Sequence, residues 1–115
     1  MRFRRFEDIV AWQKAQDLAV EIYDNFGNSK DYGFKDQITR ASVSISNNIA
    51  EGFERGSDAE FLRFLRYSRT SSNEVKSMVY LAERLRYIDL EKKEFLILMI
   101  DEIGRIIYGL MKSLG

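Results

Sequence analysis

Apolar residues recur along the chain in four series, with steps of three and four positions that are typical of one face of an α-helix. The series run from Ile9 to Phe26, from Ile38 to Gly52, from Phe61 to Ala82 and from Leu96 to Leu114. Steps of four and three alternate in the third series as in a heptad seam, and the small residues in its middle allow another helix to approach closely. No stretch shows the alternation of a strand. The pattern therefore predicts an all-α fold with four helices.

Polar residues mark where the helices start. Asp8 precedes the first series and is a candidate N-cap, because its carboxylate can accept hydrogen bonds from the free amides of the first turn. Ser57 and Glu60 have the spacing of a capping box in front of the third series. Asp89 stands at the N-cap position before the fourth, and we expect the second helix to start between Gly33 and Asp36.

The connections between the series are short, and short connections make consecutive helices antiparallel. The sequence therefore predicts an antiparallel up-down-up-down four-helix bundle, forming a single domain over residues 1–115. The nearly unbroken apolar run Phe95–Ile100 makes the fourth helix apolar over a wide arc. Such a helix is either central in the fold or covered by a second subunit.

A polar stripe borders the apolar face of the second helix. At about 100° per residue, the apolar positions of this helix fall in one arc and its polar positions fall in the adjoining arc. The corresponding place on the third helix also holds polar residues. The polar stripe comprises Gln37, Arg40, Ser44, Asn48 and Glu51 of the second helix, with Ser71 and Glu74 of the third.

Three interpretations of the polar stripe are open. The first is a solvated helix face. The second, which we favour, is a hydrogen-bond network that fixes the register of helices or subunits, since buried polar groups need partners and register is the best-attested use of such networks. The third is a catalytic or ligand site with Glu51 and Glu74 as a carboxylate pair. Di-metal sites in bundles use Glu-x-x-His motifs, and the chain has no histidine.

The composition excludes several kinds of catalytic and metal site. The 115 residues include no cysteine and no histidine, which excludes disulfides, thiolate nucleophiles, Cys/His zinc sites and imidazole acid–base catalysis. No phosphate-binding loop, nucleophile elbow or dinucleotide fingerprint is present, so we expect no cofactor and no metal. There is no apolar run of about 18 residues, and the basic start of the chain does not have the pattern of a signal peptide. We expect a cytoplasmic protein that does not enter the membrane.

Charge is balanced overall but not locally. Lys plus Arg and Asp plus Glu both number 18, whereas proteins that bind nucleic-acid phosphates usually carry a basic excess. Any such role therefore needs a local patch. One candidate is a basic face that covers about one third of the circumference of the third helix. Arg2, Arg4 and Arg5 add a basic N-terminus. The alternative is a solvated face paired with acids such as Asp17, Glu21 or Asp101. The basic face comprises Arg63, Arg66, Arg69, Lys76 and Arg84.

Several segments give the chain a specific family resemblance over about residues 6 to 112. They are Phe6–Asp8, Val10–Ala15, Gln37–Ile45, Asn48–Gly52, Glu60–Leu65 and Ser71 with Glu74–Val75. In these segments the chain resembles the four-helix bundle proteins encoded by intervening sequences within bacterial 23S ribosomal RNA genes. Ser68 and Thr70 depart from the family pattern, which usually has Ala and Gly there, but all four residue types are small.

The resemblance implies a four-helix bundle that assembles as a ring, commonly a pentamer, with no established enzymatic activity. A related branch, the accessory protein of diversity-generating retroelements, binds nucleic acid and a reverse transcriptase. That branch is strongly basic, whereas this chain is neutral.

We therefore expect a non-enzymatic, ring-forming scaffold or adaptor that is a homo-oligomer, with a pentamer as the expected state and a protein or nucleic acid as its partner. The alternative is weak, sequence-independent binding of RNA or DNA through the basic face. A third hypothesis is an enzyme that uses Glu51 and Glu74.

Overall fold

The structure, a computed structural model that describes residues 3–115, contains four long α-helices. They are α1 (Val10–Phe26), α2 (Tyr32–Glu54), α3 (Asp58–Arg84) and α4 (Leu90–Leu114), and a single 3-10 turn at Phe6–Asp8 precedes them. No strand occurs in this part of the chain. The prediction of an all-α fold with four helices is confirmed.

The helices form an antiparallel bundle in which each one packs against its sequence neighbours and α4 closes against α1. Two ion pairs show the direction of this closing contact: Lys14 meets Glu102 at 3.3 Å, and Glu21, two turns further along α1, meets Lys92 at 4.0 Å. Residue numbers rise on α1 while they fall on α4, so these two helices are antiparallel. The bundle measures 44 × 22 × 19 Å.

Side-chain caps start three of the four helices. The Ser57 hydroxyl accepts from the Glu60 amide at 3.2 Å and the Asp89 carboxylate accepts from the Lys92 amide at 2.8 Å, which confirms both predicted caps. In a complete capping box, the Glu60 carboxylate would also accept from the Ser57 amide. This second bond does not form, because the Glu60 carboxylate binds Arg63 instead.

Asp31 caps α2 and also ties two connections together. Its carboxylate accepts from the Phe34 amide at 3.2 Å and from the Tyr87 hydroxyl at 2.6 Å. These two bonds, Tyr87 first, lower the pKa of Asp31. Because of this cap, α2 begins at Tyr32, one residue before the predicted interval.

The prediction that Asp8 caps the first helix is wrong. Asp8 lies in the 3-10 turn, and Ile9 occupies the N-cap position with extended backbone (φ −80°, ψ 116°) and no side-chain cap. Ile9 is buried. Inserting its side chain into the core moves the start of α1 one residue beyond the predicted position.

The core follows the predicted apolar series. The third series predicts seven core positions, and all seven are buried: Phe61, Leu65, Ser68, Ser72, Val75, Val79 and Ala82. Trp12 and Leu114 of the first and fourth series are half-buried against the same core. In the described part of the chain, no helix combines the length and apolar character that a membrane crossing requires.

Candidate functional site

Small residues let α2 and α3 approach closely along a buried seam. Gly52 on α2 faces Phe61 and Phe64 on α3, and a Cβ atom at Gly52 would lie only 2.5 Å from the Cβ of Phe64. Further along, the buried Ser68 hydroxyl donates to the Ile45 carbonyl at 2.8 Å. This hydrogen bond joins the two helices directly and fixes their register.

The centre of the polar stripe is a hydrogen-bond network within the chain. The Ser71 hydroxyl donates to the Ser44 hydroxyl at 2.9 Å, across the α2/α3 interface. The Asn48 amide donates to both the carbonyl and the hydroxyl oxygen of Ser44, each at 2.8 Å. All three side chains are half-buried. At these positions the polar residues align two helices of one subunit.

The outer members of the polar stripe lie in solvent. The Gln37 amide donates to the Glu74 carboxylate at 3.2 Å between two exposed side chains. Glu51 pairs with Arg55 on its own helix at 3.3 Å, and its side chain is 57% exposed. Arg40 is exposed and lines a groove of about 460 Å³ between α1 and α2. These residues form a solvated border rather than a buried network.

Glu51 and Glu74 do not form a carboxylate pair. Glu74 contacts Gln37, which lies fourteen positions before Glu51 on α2. At 1.5 Å per residue, this places the two carboxylates about 20 Å apart along the bundle. The hypothesis that they share one substrate is therefore wrong.

The basic face of α3 is partly neutralised within the subunit. The Arg63 guanidinium makes two bonds to the Glu60 carboxylate, at 2.9 and 3.0 Å, and this pairing raises its pKa. Lys76 binds Asp101 at 2.8 Å, which raises the pKa of the lysine. Two of the five basic residues are thus engaged by carboxylates, as the alternative interpretation expects for Asp101.

Within residues 3–115, the other members of the basic face have no carboxylate partner. Arg66 and Arg84 are exposed and make no ion pair with any residue in the range 3–115. The Arg69 guanidinium lies over the Tyr108 ring of α4, 5.6 Å from its centroid. Of the basic N-terminus, Arg2 lies outside the described residues, and Arg5 meets Glu7 at 3.5 Å.

A groove of about 640 Å³ separates the exposed edges of α3 and α4. Its lining combines basic, polar and aromatic side chains. Gly104 also lines the groove, and a Cβ atom there would meet nothing within 4 Å. The sequence interpretation did not include Arg105, since only the pairing of α3 with α4 brings it to Arg69. The chain lines this α3/α4 groove with Arg69, Asn73, Lys76, Asp101, Arg105 and Tyr108.

Apolar side chains of α4 and α3 also remain on the surface. Leu98 is 69% exposed, Phe95 45% and Tyr80 46%. Tyr80 and Leu98 line one shallow depression together with the half-buried Ile97. We call Tyr80, Phe95, Ile97 and Leu98 the apolar edge. The wide apolar arc predicted for the fourth helix therefore faces outwards over part of its width.

The match to a family profile decides where the chain belongs. The profile of the 23S rRNA-intervening sequence proteins matches residues 7–109. The chain belongs to this family. It is also similar to a crystal structure from Bacteroides thetaiotaomicron, described as a protein with unknown function from the S23 ribosomal protein family, with a TM-score of 0.83 and 26% sequence identity. The similarity covers 89% of this chain and 98% of that one. No curated protein matches the chain.

The segments of α2 and α3 that resemble the 23S rRNA-intervening sequence family meet at the interface of these two helices. The two α2 segments, Gln37–Ile45 and Asn48–Gly52, carry Ile45, Ser44 and Gly52, which contact α3. The α3 segment Glu60–Leu65 supplies Phe61 and Phe64, which lie against Gly52. The residues that identify this family member thus build its helix packing, and the related crystal structure carries no described function.

The polar stripe has a counterpart on the other side of α2 that the sequence interpretation missed. The Gln16 amide of α1 donates to the buried Ser46 hydroxyl at 3.0 Å. Ser42, also buried, donates to the Thr39 carbonyl at 2.8 Å. A helical wheel places these residues on the second border of the apolar arc, and that position is the sequence signal that could have revealed them. Hydrogen bonds at its two polar borders therefore position α2 between α1 and α3.

Replacing Glu51 with alanine is expected to change the free energy of unfolding by no more than about 0.5 kcal/mol, as is usual for exposed positions. Its one ion pair is an exposed i, i+4 contact, and such pairs contribute little. Replacing Ser68 with alanine is expected to cost about 1 kcal/mol, because the buried interhelical hydrogen bond is removed. Urea unfolding of both variants measures the difference. A larger destabilisation by Glu51→Ala than by Ser68→Ala would show that Glu51 has a buried partner in another subunit.

Proposed function

We propose that this 23S rRNA-intervening sequence family member is a non-enzymatic scaffold that assembles copies of itself into a ring, with five copies as the expected number. The observation that carries the proposal is the apolar edge. A large apolar side chain gains about 1.5–3 kcal/mol when it is fully buried, and Leu98 is 69% exposed in the isolated chain. Contiguous exposed apolar surface marks interaction sites.

A ring requires that two different surfaces of one subunit meet in neighbouring copies. The groove between α1 and α2 supplies a surface that complements the apolar edge. It offers the ring of Tyr23 and the side chain of Val43 beside the charges of Asp36 and Arg40. The apolar edge is flanked by Lys93 and Glu94. Lys93 can therefore face Asp36 of the next copy while Glu94 faces Arg40, and such complementarity fixes register and orientation.

Light scattering coupled to size exclusion tests the assembly. The wild-type protein is expected to elute with a mass near five times the 13.5 kDa of one chain. The substitution Leu98→Glu is expected to reduce this mass to that of a monomer, because assembly would then bury a carboxylate that has no paired charge in the interface. Arg40→Glu is expected to weaken assembly from the opposite surface.

The control for Leu98→Glu is Val10→Glu, which adds the same charge at an exposed apolar position outside both surfaces. Its mass should stay that of the wild type, and circular dichroism should show equal helix content for all variants. A wild-type protein that stays monomeric at micromolar concentration would refute the scaffold proposal. An assembly that survives both Leu98→Glu and Arg40→Glu would refute the surfaces assigned to it.

A second candidate function is weak, sequence-independent binding of RNA or DNA through α3. The observation that favours it is that Arg66 and Arg84 are exposed without carboxylate partners in the described chain, while the Arg69 guanidinium lies over the Tyr108 ring. Binding of this kind is electrostatic, so its affinity should fall steeply as salt increases. Arg63 and Lys76 are held by Glu60 and Asp101, which reduces their contribution.

A further inference from the structure

Charge is segregated along the α3/α4 pair. No Asp or Glu occurs between Phe61 and Asn73 on α3, or between Ile103 and Gly115. These two segments lie side by side, since Arg69 contacts Tyr108 across the antiparallel pair. Acidic residues resume at Glu74 on α3 and at Glu102 and Asp101 on α4, and Asp101 pairs with Lys76. At the other limit of the α3 segment, Glu60 pairs with Arg63. Between these acids the two segments hold no side-chain carboxylate and carry five basic residues, namely Arg63, Arg66, Arg69, Arg105 and Lys112.

An exposed aromatic ring lies among these cations. Tyr108 is half-exposed, and both the Arg69 guanidinium and the Lys112 ammonium lie 5.6 Å from its centroid. Arg105 lies one turn before Tyr108 on α4 and lines the α3/α4 groove with Arg69 and Asn73. The groove thus combines positive charge, an amide donor and a ring at its wall.

We propose that the α3/α4 groove binds a single strand of RNA or DNA, with Arg69, Arg105 and Lys112 on its phosphates and Tyr108 against a base. This inference rests on the second candidate function and moves its site from the outer face of α3 to the groove. It adds three α4 residues to the basic residues of α3.

The shape of the groove favours an extended polyanion over a small phosphate ester. The groove is open, and the basic side chains that border it are exposed or half-buried. Arg105 and Lys112 are seven positions apart, about 10 Å along α4, which exceeds the reach of one phosphate. A positively charged groove with an aromatic side chain is the usual combination for single strands, whose bases are free to stack. A duplex offers Tyr108 no such base.

Fluorescence anisotropy with a labelled oligo-dT strand, and with a duplex of the same length, tests the inference over a range of salt concentrations. The double variant Arg69→Gln/Arg105→Gln is expected to weaken binding of the strand at least about tenfold at low salt. It should also reduce the slope of log affinity against log salt by about 0.7 for each phosphate that is no longer neutralised. The matched control is Lys30→Gln/Arg86→Gln, which removes two exposed charges in the connections before α2 and α4 and should leave binding nearly unchanged.

A third variant separates stacking from charge. Tyr108→Leu is expected to weaken binding of the strand by about five- to hundredfold, the effect of removing the stacking partner of one base, while the salt slope stays that of the wild type. The wild type should bind the strand more tightly than the duplex. Circular dichroism and the assembly mass of each variant check that fold and oligomeric state are retained.

The outcomes distinguish this site from the broader candidate function. Equal weakening by the groove variant and the Lys30/Arg86 control would refute the groove and leave general electrostatic binding in place. Equal affinity for strand and duplex, unaffected by Tyr108→Leu, would refute the single-strand assignment. If neither the strand nor the duplex binds at low salt, the candidate function and the groove site both fail. Binding to phosphatidylserine vesicles with no binding to oligo-dT would also overturn the proposal.

Discussion

Replacing Phe61 with alanine is expected to destabilise the protein by about 3–5 kcal/mol, the usual cost of removing a buried aromatic ring. Phe61 is fully buried and lies where α2 and α3 come together. Its ring packs edge-on against Phe53, with centroids 6.0 Å apart, and lies beside Gly52. The cavity would open between two helices whose spacing is set by these contacts, so the site can relax only if the helices move.

Chemical unfolding followed by circular dichroism measures the effect of Phe61→Ala. Small domains have total stabilities of about 5–15 kcal/mol, so the variant is expected to be partly unfolded at moderate denaturant where the wild type is native. Tyr32→Ala is the control, because it removes an aromatic ring that is 64% exposed at the start of α2. A destabilisation by Phe61→Ala no larger than that by Tyr32→Ala would show that the Phe61 ring does not support the α2/α3 interface.

Replacing Gly52 with alanine is expected to destabilise the protein by about 1–3 kcal/mol, although alanine is the better helix former by about 1 kcal/mol. The added Cβ atom would lie 2.5 Å from the Cβ of Phe64 and 3.3 Å from a ring carbon of Phe61. The Phe64 Cβ is attached directly to the backbone of α3 and cannot rotate away. Relief therefore requires the two helices to separate.

Gly104→Ala is the matched control for Gly52→Ala. Gly104 lies inside α4, and a Cβ atom there would meet nothing within 4 Å. The same substitution is therefore expected to stabilise the protein by up to about 1 kcal/mol through helix propensity alone. The same unfolding measurement applied to both variants should give opposite signs. If both glycine variants stabilise the protein, the close approach of α2 to α3 is wrong.

Patterns within one helix could be predicted from the sequence. The seven positions of the third apolar series are all buried, and Ser57 and Asp89 cap the helices that they precede. Both features depend on a local period or on a bond to an amide three residues away, so neighbouring residues determine them. The cap predicted at Asp8 failed because the start of α1 depends on whether Ile9 enters the core, which is a tertiary contact.

Contacts between helices could be predicted only in part. A helical wheel places Ser44, Glu51, Ser71 and Glu74 at related borders, but it does not state which residue on α2 meets which on α3. The structure pairs Ser44 with Ser71 and leaves Glu51 far from Glu74. This register is set by the fit of Gly52 against Phe64 together with the hydrogen bond from Ser68 to Ile45, and both depend on how two helix surfaces meet. Arg105 was missed for the same reason.

The order in which the helices pack has a consequence for how the chain folds. Three of the four packed helix pairs are consecutive in sequence, joined by residues 27–31, 55–57 and 85–89. Among the four long helices of residues 3–115, only α1 and α4 are in contact without being consecutive in sequence. Little loop-closure entropy is therefore spent before native contacts form. Helical bundles with such a low contact order fold within microseconds to milliseconds, so a newly made chain exposes its core side chains only briefly before the bundle is complete.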